Sequence, residues 1–476
     1  MKKYILLILS VPFFTLIYGQ QPAPVSESSS TYFNGFQHYK DKNVDSAMFF
    51  VRKLAANPDY SSTLQDLLHN AYAQIFCRFL LNLATTEEQK KEYQIRLDTA
   101  HAILKAMLAD GNPVVVQSAR PIYYWLQAEQ QATNDRQLAE LVDGFTKTQL
   151  SAADLYTNRI GRYGLLIYQV VAGRKDLAPM ADKLLATLTS RLQSSQLPLN
   201  PEQNFRPVLE KRTWYRFLYA YANFVQAQTL MSKQEIKKAG DHFKLAADYS
   251  PDLADNNNRH AYFYDMFFLL QEEKYTFRDD YVSYLTANSG DKQQTLSTLL
   301  NTALIDPNFK TALQQYYTEN FSGQETFSSY WMKGIDQLGK QAPAFSLKLL
   351  NGNGKPVSLA DGGKSKWMLL DFWGTWCSPC RKEHPDLEKF YKTASADLAD
   401  KIVVVTVACH DLEKKVTDYM NEFQYTFPVA MADQEIEKTY KINSYPSKIL
   451  ISPQGKYVVI PFGADWINFI KQYASL

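Results

Sequence analysis

Two of the chain's four cysteines, Cys377 and Cys380, stand two residues apart in LLDFWGTWCSPCRKEHP, Leu369 to Pro385. Such a pair can cycle between dithiol and disulfide, supply half of a metal site, or form a structural disulfide. The local pattern favours the first. The run before Cys377 reads as a strand and the residues after it as a helix. A thiolate at that junction faces unpaired backbone N–H groups at the positive end of the helix dipole. This lowers its pKa and makes it the nucleophile. Pro379 falls in the first turn, where a missing N–H costs nothing. Cys380, one turn on, is expected to be partly buried and to attack the mixed disulfide formed at Cys377.

Other chemistries need residues that are mostly missing. Haem attachment requires His directly after the second cysteine, and Arg381 is there. A structural zinc site usually joins two ligand pairs. Beyond the motif the candidates are Cys409-His410 and His384, which can share a helix face with Cys380. A metal site built this way stays open as a minor alternative. A peroxidase needs Thr or Ser three residues before its attacking cysteine, where this chain has Gly374. Cys77 and Cys409 stand alone, and Cys409 reads as core.

The N-terminus reads as a signal peptide over residues 1–19: Met1-Lys2-Lys3, an apolar run from Tyr4 to Tyr18, then Gly19. The run is short for a membrane span, and no cysteine follows it to carry a lipid. The expected location is the periplasm or envelope of a bacterium. Cleavage would remove two lysines and leave 49 basic residues against 49 acidic ones. That balance, with no basic stripe, argues against nucleic acid as a partner. Small exported domains are often disulfide-dense. This chain is long enough to build its own core. A CxxC pair in so cysteine-poor a chain therefore points to chemistry.

The texture changes near residue 335. Residues 20–335 read as an irregular all-α domain. Helices are expected over 31–40, 45–56, 86–109, 114–132, 152–172, 175–194, 213–231 and 233–249. SAMFFVRKLAANP and KAGDHFKLAADYSP each look like the second helix of a tetratricopeptide-type unit, without a regular period between them. The domain is expected to pack its many Tyr and Phe between helices, or to use them in partner recognition or self-association. Residues 336–476 alternate strand and helix: FSLKLL, NGNG as a hairpin turn, PVSL, KWMLLDF, a helix from Cys377, KIVVVTVA, a helix over 412–423, FPVAM, QEIEKTY, SKILIS, KYVVI and a last helix over 466–474. This predicts a mixed sheet with helices on both faces.

LLDFWGTWCSPCRKEHP closely resembles the active-site segment of thioredoxin-like proteins. GKQAPAFSLKLLNGNG and YKINSYPSKILISPQGKYV resemble the entry hairpin and the cis-proline strand of the TlpA/ResA branch, exported thiol–disulfide oxidoreductases. The resemblance spans about residues 337–476 and leaves the helical part uncovered. It implies an α/β thioredoxin-like fold without cofactor or metal. Cys377 matches the nucleophile and Cys380 the resolving thiol, together the redox disulfide. Trp376 shapes the contact surface and Pro385 bends the helix. Asp371 matches a buried acid, expected to have a raised pKa and to accept the proton of Cys380. Glu383 matches a glutamate that tunes the thiols. Pro446 matches the cis-proline, with the backbone of Tyr445 pairing with substrate; Tyr445 is bulkier than the usual residue. The implied function is reduction of disulfides in envelope proteins, with electrons from an upstream thiol donor. The alternative is a helical scaffold whose thioredoxin-like domain senses or regulates its binding.

Overall fold

The structure is a computed structural model that describes residues 28–77, 86–194, 206–251, 260–321, 323, 325–351, 356–362, 366–397, 401–442, 444–460 and 464–474. The signal segment and most of NGNG lie outside these residues. The described chain forms two compact units. One holds residues up to Leu141 with Thr157–Tyr163, and the other Val142–Tyr156 with Gly164 onward.

The first unit is helical. Ser29–Tyr39 and Val44–Ala55 are capped by the side chains of Ser28 and Asn43, each accepting a free backbone N–H of the first turn. Glu87–Leu108 begins with a capping box between Thr86 and Gln89. Between them, residues 61–76 run from α-helix through a π-helical segment, Asp66–Tyr72, into a 3₁₀ turn. No helix was expected over these residues, although Leu64, Leu67, Leu68 and Tyr72 recur at helical spacing and are buried.

The helix expected over 152–172 starts only at Ile160. The Asp154 carboxylate accepts from the backbone N–H of Tyr156 at 3.1 Å and from the Tyr215 hydroxyl at 2.7 Å. That local bond competes with helix formation. Asn158 and Arg159 then adopt positive φ. Helices Phe263–Leu270, Arg278–Asn288, Lys292–Ile305, Lys310–Phe321 and Phe327–Leu338 complete the helical part.

The strands are β1 Lys340–Gln341, β2 Ser346–Lys348, β3 Pro356–Ser358, β4 Trp367–Trp373, β5 Ile402–Ala408, β6 Val429–Met431, β7 Ser447–Ile451 and β8 Lys456–Ile460. Six form one sheet in the order β1-β8-β7-β4-β5-β6, and β2 pairs with β3 separately. β4, β5 and β6 are parallel; β7 runs antiparallel to β4, and β8 antiparallel to β7. All of β4 is buried, so both faces of the sheet are covered. Trp367, Leu369 and Trp373 face the core shared with helices Ser378–Asp397, Glu413–Glu422 and Trp466–Ala474. Met368, Leu370 and Phe372 face the other core, with Ile436 and Tyr440. The first core also takes in Leu296, Leu300, Trp331 and Ile335 from the preceding helices.

Candidate redox site

β4 ends at Trp373 and the helix Ser378–Asp397 begins five residues later, so Cys377 lies at the mouth of the parallel strands. Cys377 and Cys380 form a disulfide, with Cα atoms 5.3 Å apart. The backbone N–H of Cys380 points at Cys377 Sγ, 3.3 Å away. The N–H of Arg381 donates to the Cys377 carbonyl and opens the helix. Both cysteines are buried, Cys377 with 4% and Cys380 with 1% of its surface exposed. Cys380 is thus more enclosed than the partial burial expected of it. Trp376 is 52% exposed.

The loop before Cys377 is tied down. The Thr375 N–H donates to Asp411 at 2.6 Å, and the Trp376 indole donates to the Cys409 carbonyl at 3.1 Å. A Cβ at Gly374 would lie 3.0 Å from that carbonyl and would collide with the Trp376 indole. The close approach of the two loops explains a glycine there. The Tyr445–Pro446 peptide is cis. The Tyr445 ring meets Trp376 edge to face, centroids 5.3 Å apart, and its hydroxyl donates to Glu437. Trp376, Tyr445 and the disulfide loop therefore form one rim. Pro385 sits inside the helix that carries the cysteines.

Asp371, on β4, is 2% exposed. Burial pushes its carboxyl up to about 6; the Lys448 ammonium offsets part of this and Glu383 adds to it. Lys448 stands opposite Asp371 across the β4–β7 ladder. Its ammonium lies 3.2 Å from Asp371 and 2.5 Å from Glu383, whose side chain is 35% exposed. Sequence reasoning missed Lys448. The reading of SKILIS as a strand placed it on β7, but the register that sets it against Asp371 is not written in either segment.

The residues weighed for a metal have other partners. His384 packs against Trp373, Tyr419, Tyr425 and Phe427. Its Nδ1 lies 2.9 Å from the Tyr419 hydroxyl, and burial holds its pKa down to about 3. It is a neutral core histidine. His410 pairs with Glu437 at 3.1 Å. Cys409 is buried, and burial raises its thiol pKa strongly.

Residues 338–460 match the AhpC/TSA family. The thioredoxin-like protein YneN of Bacillus subtilis (strain 168) is 37% identical over 139 residues, which is 28% of this chain and 78% of YneN. The thiol-disulfide oxidoreductase ResA of the same organism is 32% identical over 161 residues, 34% of this chain and 82% of ResA. Among solved structures, a thiol:disulfide interchange protein from Chlorobium tepidum TLS is 27% identical, covering 29% of this chain and 95% of its own, with a TM-score of 0.26. The family match takes in the sheet, the cysteine pair and the cis-proline described above. Through its C-terminal part the chain belongs to the thioredoxin-like thiol–disulfide oxidoreductases, alongside YneN and ResA.

Proposed function

We propose that the protein is an exported reductase of disulfides in bacterial envelope proteins. Cys377 attacks the substrate disulfide. Cys380 resolves the mixed disulfide and gives its proton to Asp371. Glu383 tunes the thiols, and Trp376, Tyr445 and Pro446 touch the substrate. An upstream thiol donor returns the pair to the dithiol. One observation carries the reading: a CxxC disulfide at the head of a helix, beside an exposed Trp376, with a buried carboxyl of raised pKa on the strand that leads into it. Export rests on the N-terminal pattern of residues 1–19. Among the described residues no helix is long and apolar enough to cross a membrane.

The helical residues before 336 are read as a platform that recognises a partner or a second copy. The core shared by Trp331, Trp367 and Tyr473 favours a second reading, in which the redox state of the domain is felt by a helical scaffold. Insulin reduction by the full chain with dithiothreitol separates the two. The reductase is active and loses activity in Cys377→Ser. A scaffold keeps its function in that variant and reduces insulin poorly.

A further inference from the structure

Tyr445, the bulky residue before the cis-proline, has its ring tied down by partners outside its own loop. Its hydroxyl donates to Glu437 Oε1. The same oxygen lies 3.1 Å from His410 Nε2. Burial and the carboxylate push the hydroxyl pKa well up, so Tyr445 keeps its proton and stays the donor. A hydroxyl bound to a carboxylate is the stronger kind of hydrogen bond. The ring meets Trp376 and His410 edge to face, with centroids 5.3 and 6.0 Å away. Glu437 belongs to the short helix Gln434–Thr439, and His410, at φ 50°, to the loop after β5. Three separate segments of the chain thus meet at one carboxylate oxygen.

Glu437, His410 and Trp376 also line a cavity of about 440 Å³. It lies at the carboxyl ends of β4, β5 and β6, the side on which sheets of this kind bind ligands. Its apolar walls are Trp376, Ala408, Leu412, Met431 and Ala432, and Tyr445 is not among its walls. Leu412 is 64% exposed. The polar groups that line it are engaged already. Asp411 accepts from the N–H groups of Thr375 and Leu412, and Glu437 is taken by Tyr445 and His410. Lys415, also on the rim, is exposed and keeps its ammonium in water. The cavity therefore asks for no polar group from a ligand, and an apolar group gains most by entering it.

We propose that Glu437 determines specificity: by holding the Tyr445 hydroxyl it keeps that ring against Trp376 and off the cavity, which then takes an apolar side chain of the substrate protein within two residues of the attacked cysteine. The inference rests on the exchange chemistry proposed above. Thr375 and Trp376 line the cavity and lead into Cys377. A substrate cysteine held at Cys377 brings its neighbours, about 3.3 Å apart along an extended segment, within reach of it. In the step served, the Cys377 thiolate bonds to the substrate cysteine's sulfur, the substrate disulfide breaks, and its other sulfur leaves as a thiolate. Cys380 then bonds to Cys377 and releases the first sulfur. Two electrons have passed to the substrate, and the dithiol has become a disulfide. Glu437 touches no reacting atom; it acts through Tyr445 as a positioning residue. Without it the hydroxyl loses its partner and the ring can turn over the cavity.

The test uses the reduced full chain in stopped flow. Its probes are short peptides whose single cysteine is held as the mixed disulfide with thionitrobenzoate. They differ in one residue, Leu, Ser, Lys or Glu, placed one or two positions to either side of the cysteine. Attack by Cys377 releases thionitrobenzoate, and its rate against peptide concentration gives a half-saturating concentration and a limiting rate. At one of these positions the Leu peptide should be attacked about tenfold or more efficiently than the other three, the worth of one well-placed apolar side chain. Glu437→Ala should cut that preference to about threefold or less, through the half-saturating concentration rather than the limiting rate. Glu437→Gln, which keeps an acceptor oxygen, should retain it. Tyr445→Phe, which removes only the hydroxyl, should match Glu437→Ala, and it carries the test should that variant fail to fold. The double variant should lose no more than either single one. A wild type without preference for Leu, or one that prefers Lys, overturns the proposal. So does full preference in Glu437→Ala or Tyr445→Phe, and so does an equal loss on every peptide, which marks a structural role. The reagent 5,5′-dithiobis(2-nitrobenzoate), which carries no peptide, is run alongside. Its first thionitrobenzoate reports attack by Cys377 and its second reports resolution by Cys380. A reduced wild type that gives no second phase overturns the exchange reading itself; two phases with no preference among peptides overturn this proposal alone.

Discussion

The indole N–H of Trp331 donates to the backbone carbonyl of Tyr473 at 2.9 Å, and the two rings meet edge to face with centroids 5.4 Å apart. Trp331 belongs to the last helix before the sheet, and Tyr473 to the last helix of the chain. Trp367 of β4 touches the same tyrosine ring at 6.0 Å. Lys310 donates to the Gln472 carbonyl at 2.6 Å and lies over the Trp331 ring. The end of the helical part thus supplies a wall of the redox domain's core.

Trp331→Ala should therefore destabilise the protein by about 3–5 kcal/mol, the usual cost of emptying a buried tryptophan site. A fragment of residues 337–476 exposes Trp367 and Tyr473 where Trp331 covered them. It should melt well below a fragment of residues 290–476, which keeps Lys292–Ile305, Lys310–Phe321 and Phe327–Leu338. Thermal unfolding of the pair checks this. Equal melting temperatures would show that the sheet and its own helices suffice.

Much of the redox domain was legible because its signals are local. KWMLLDF, KIVVVTVA, SKILIS and KYVVI are short apolar runs between turn residues, and each is a strand. The cysteine spacing pointed to the site. Four things were not legible. The Lys448–Asp371 pair depends on antiparallel register between segments far apart in sequence. The depth of Cys380 depends on packing from several helices. The late start of the helix at Ile160 depends on Tyr215 holding Asp154 in place from sixty-one residues on. The helices over 263–321 went unread because their apolar residues lie on several faces, as suits elements packed on more than one side, and Phe327–Leu338 went unread although its apolar residues gather on one face.

Asp371 also predicts how stability varies with pH. Its carboxyl is raised from 3.8 to about 6 in the folded protein. A raised carboxyl favours the folded state while it is protonated, and that advantage is lost as pH rises from about 4 through about 6. Asp371→Asn removes the cost of the buried charge. The variant should be more stable than the wild type at pH 7–8 by about 1–3 kcal/mol, with the gain fading as pH falls to 4. Lost pairing with Lys448 sets the lower end of that range. Urea unfolding at several pH values measures it, and a gain independent of pH would contradict the assignment. In the two-phase thiol assay the same variant should slow resolution and spare attack.

The reduced pair should titrate unequally. Cys377 lies at the helix N-terminus and is expected to have a depressed pKa, with Cys380 at or above the ordinary value. Alkylation rate against pH, with sites assigned by peptide mass, reads both. A Cys377 that titrates near about 8.5 would remove the case for an activated nucleophile.

The central claim is that Cys377 bonds covalently to substrate proteins and Cys380 releases them. Cys380→Ala blocks release, so the mixed disulfide should accumulate. The full-length variant, expressed in the native envelope, is run on a non-reducing gel and its adducts are identified by mass. The account predicts a narrow set of exported, cysteine-containing proteins, each joined through Cys377 and lost on reduction or in Cys377→Ser/Cys380→Ala. A gel without adducts, from protein whose Cys377 is shown to be free and reduced, would contradict it.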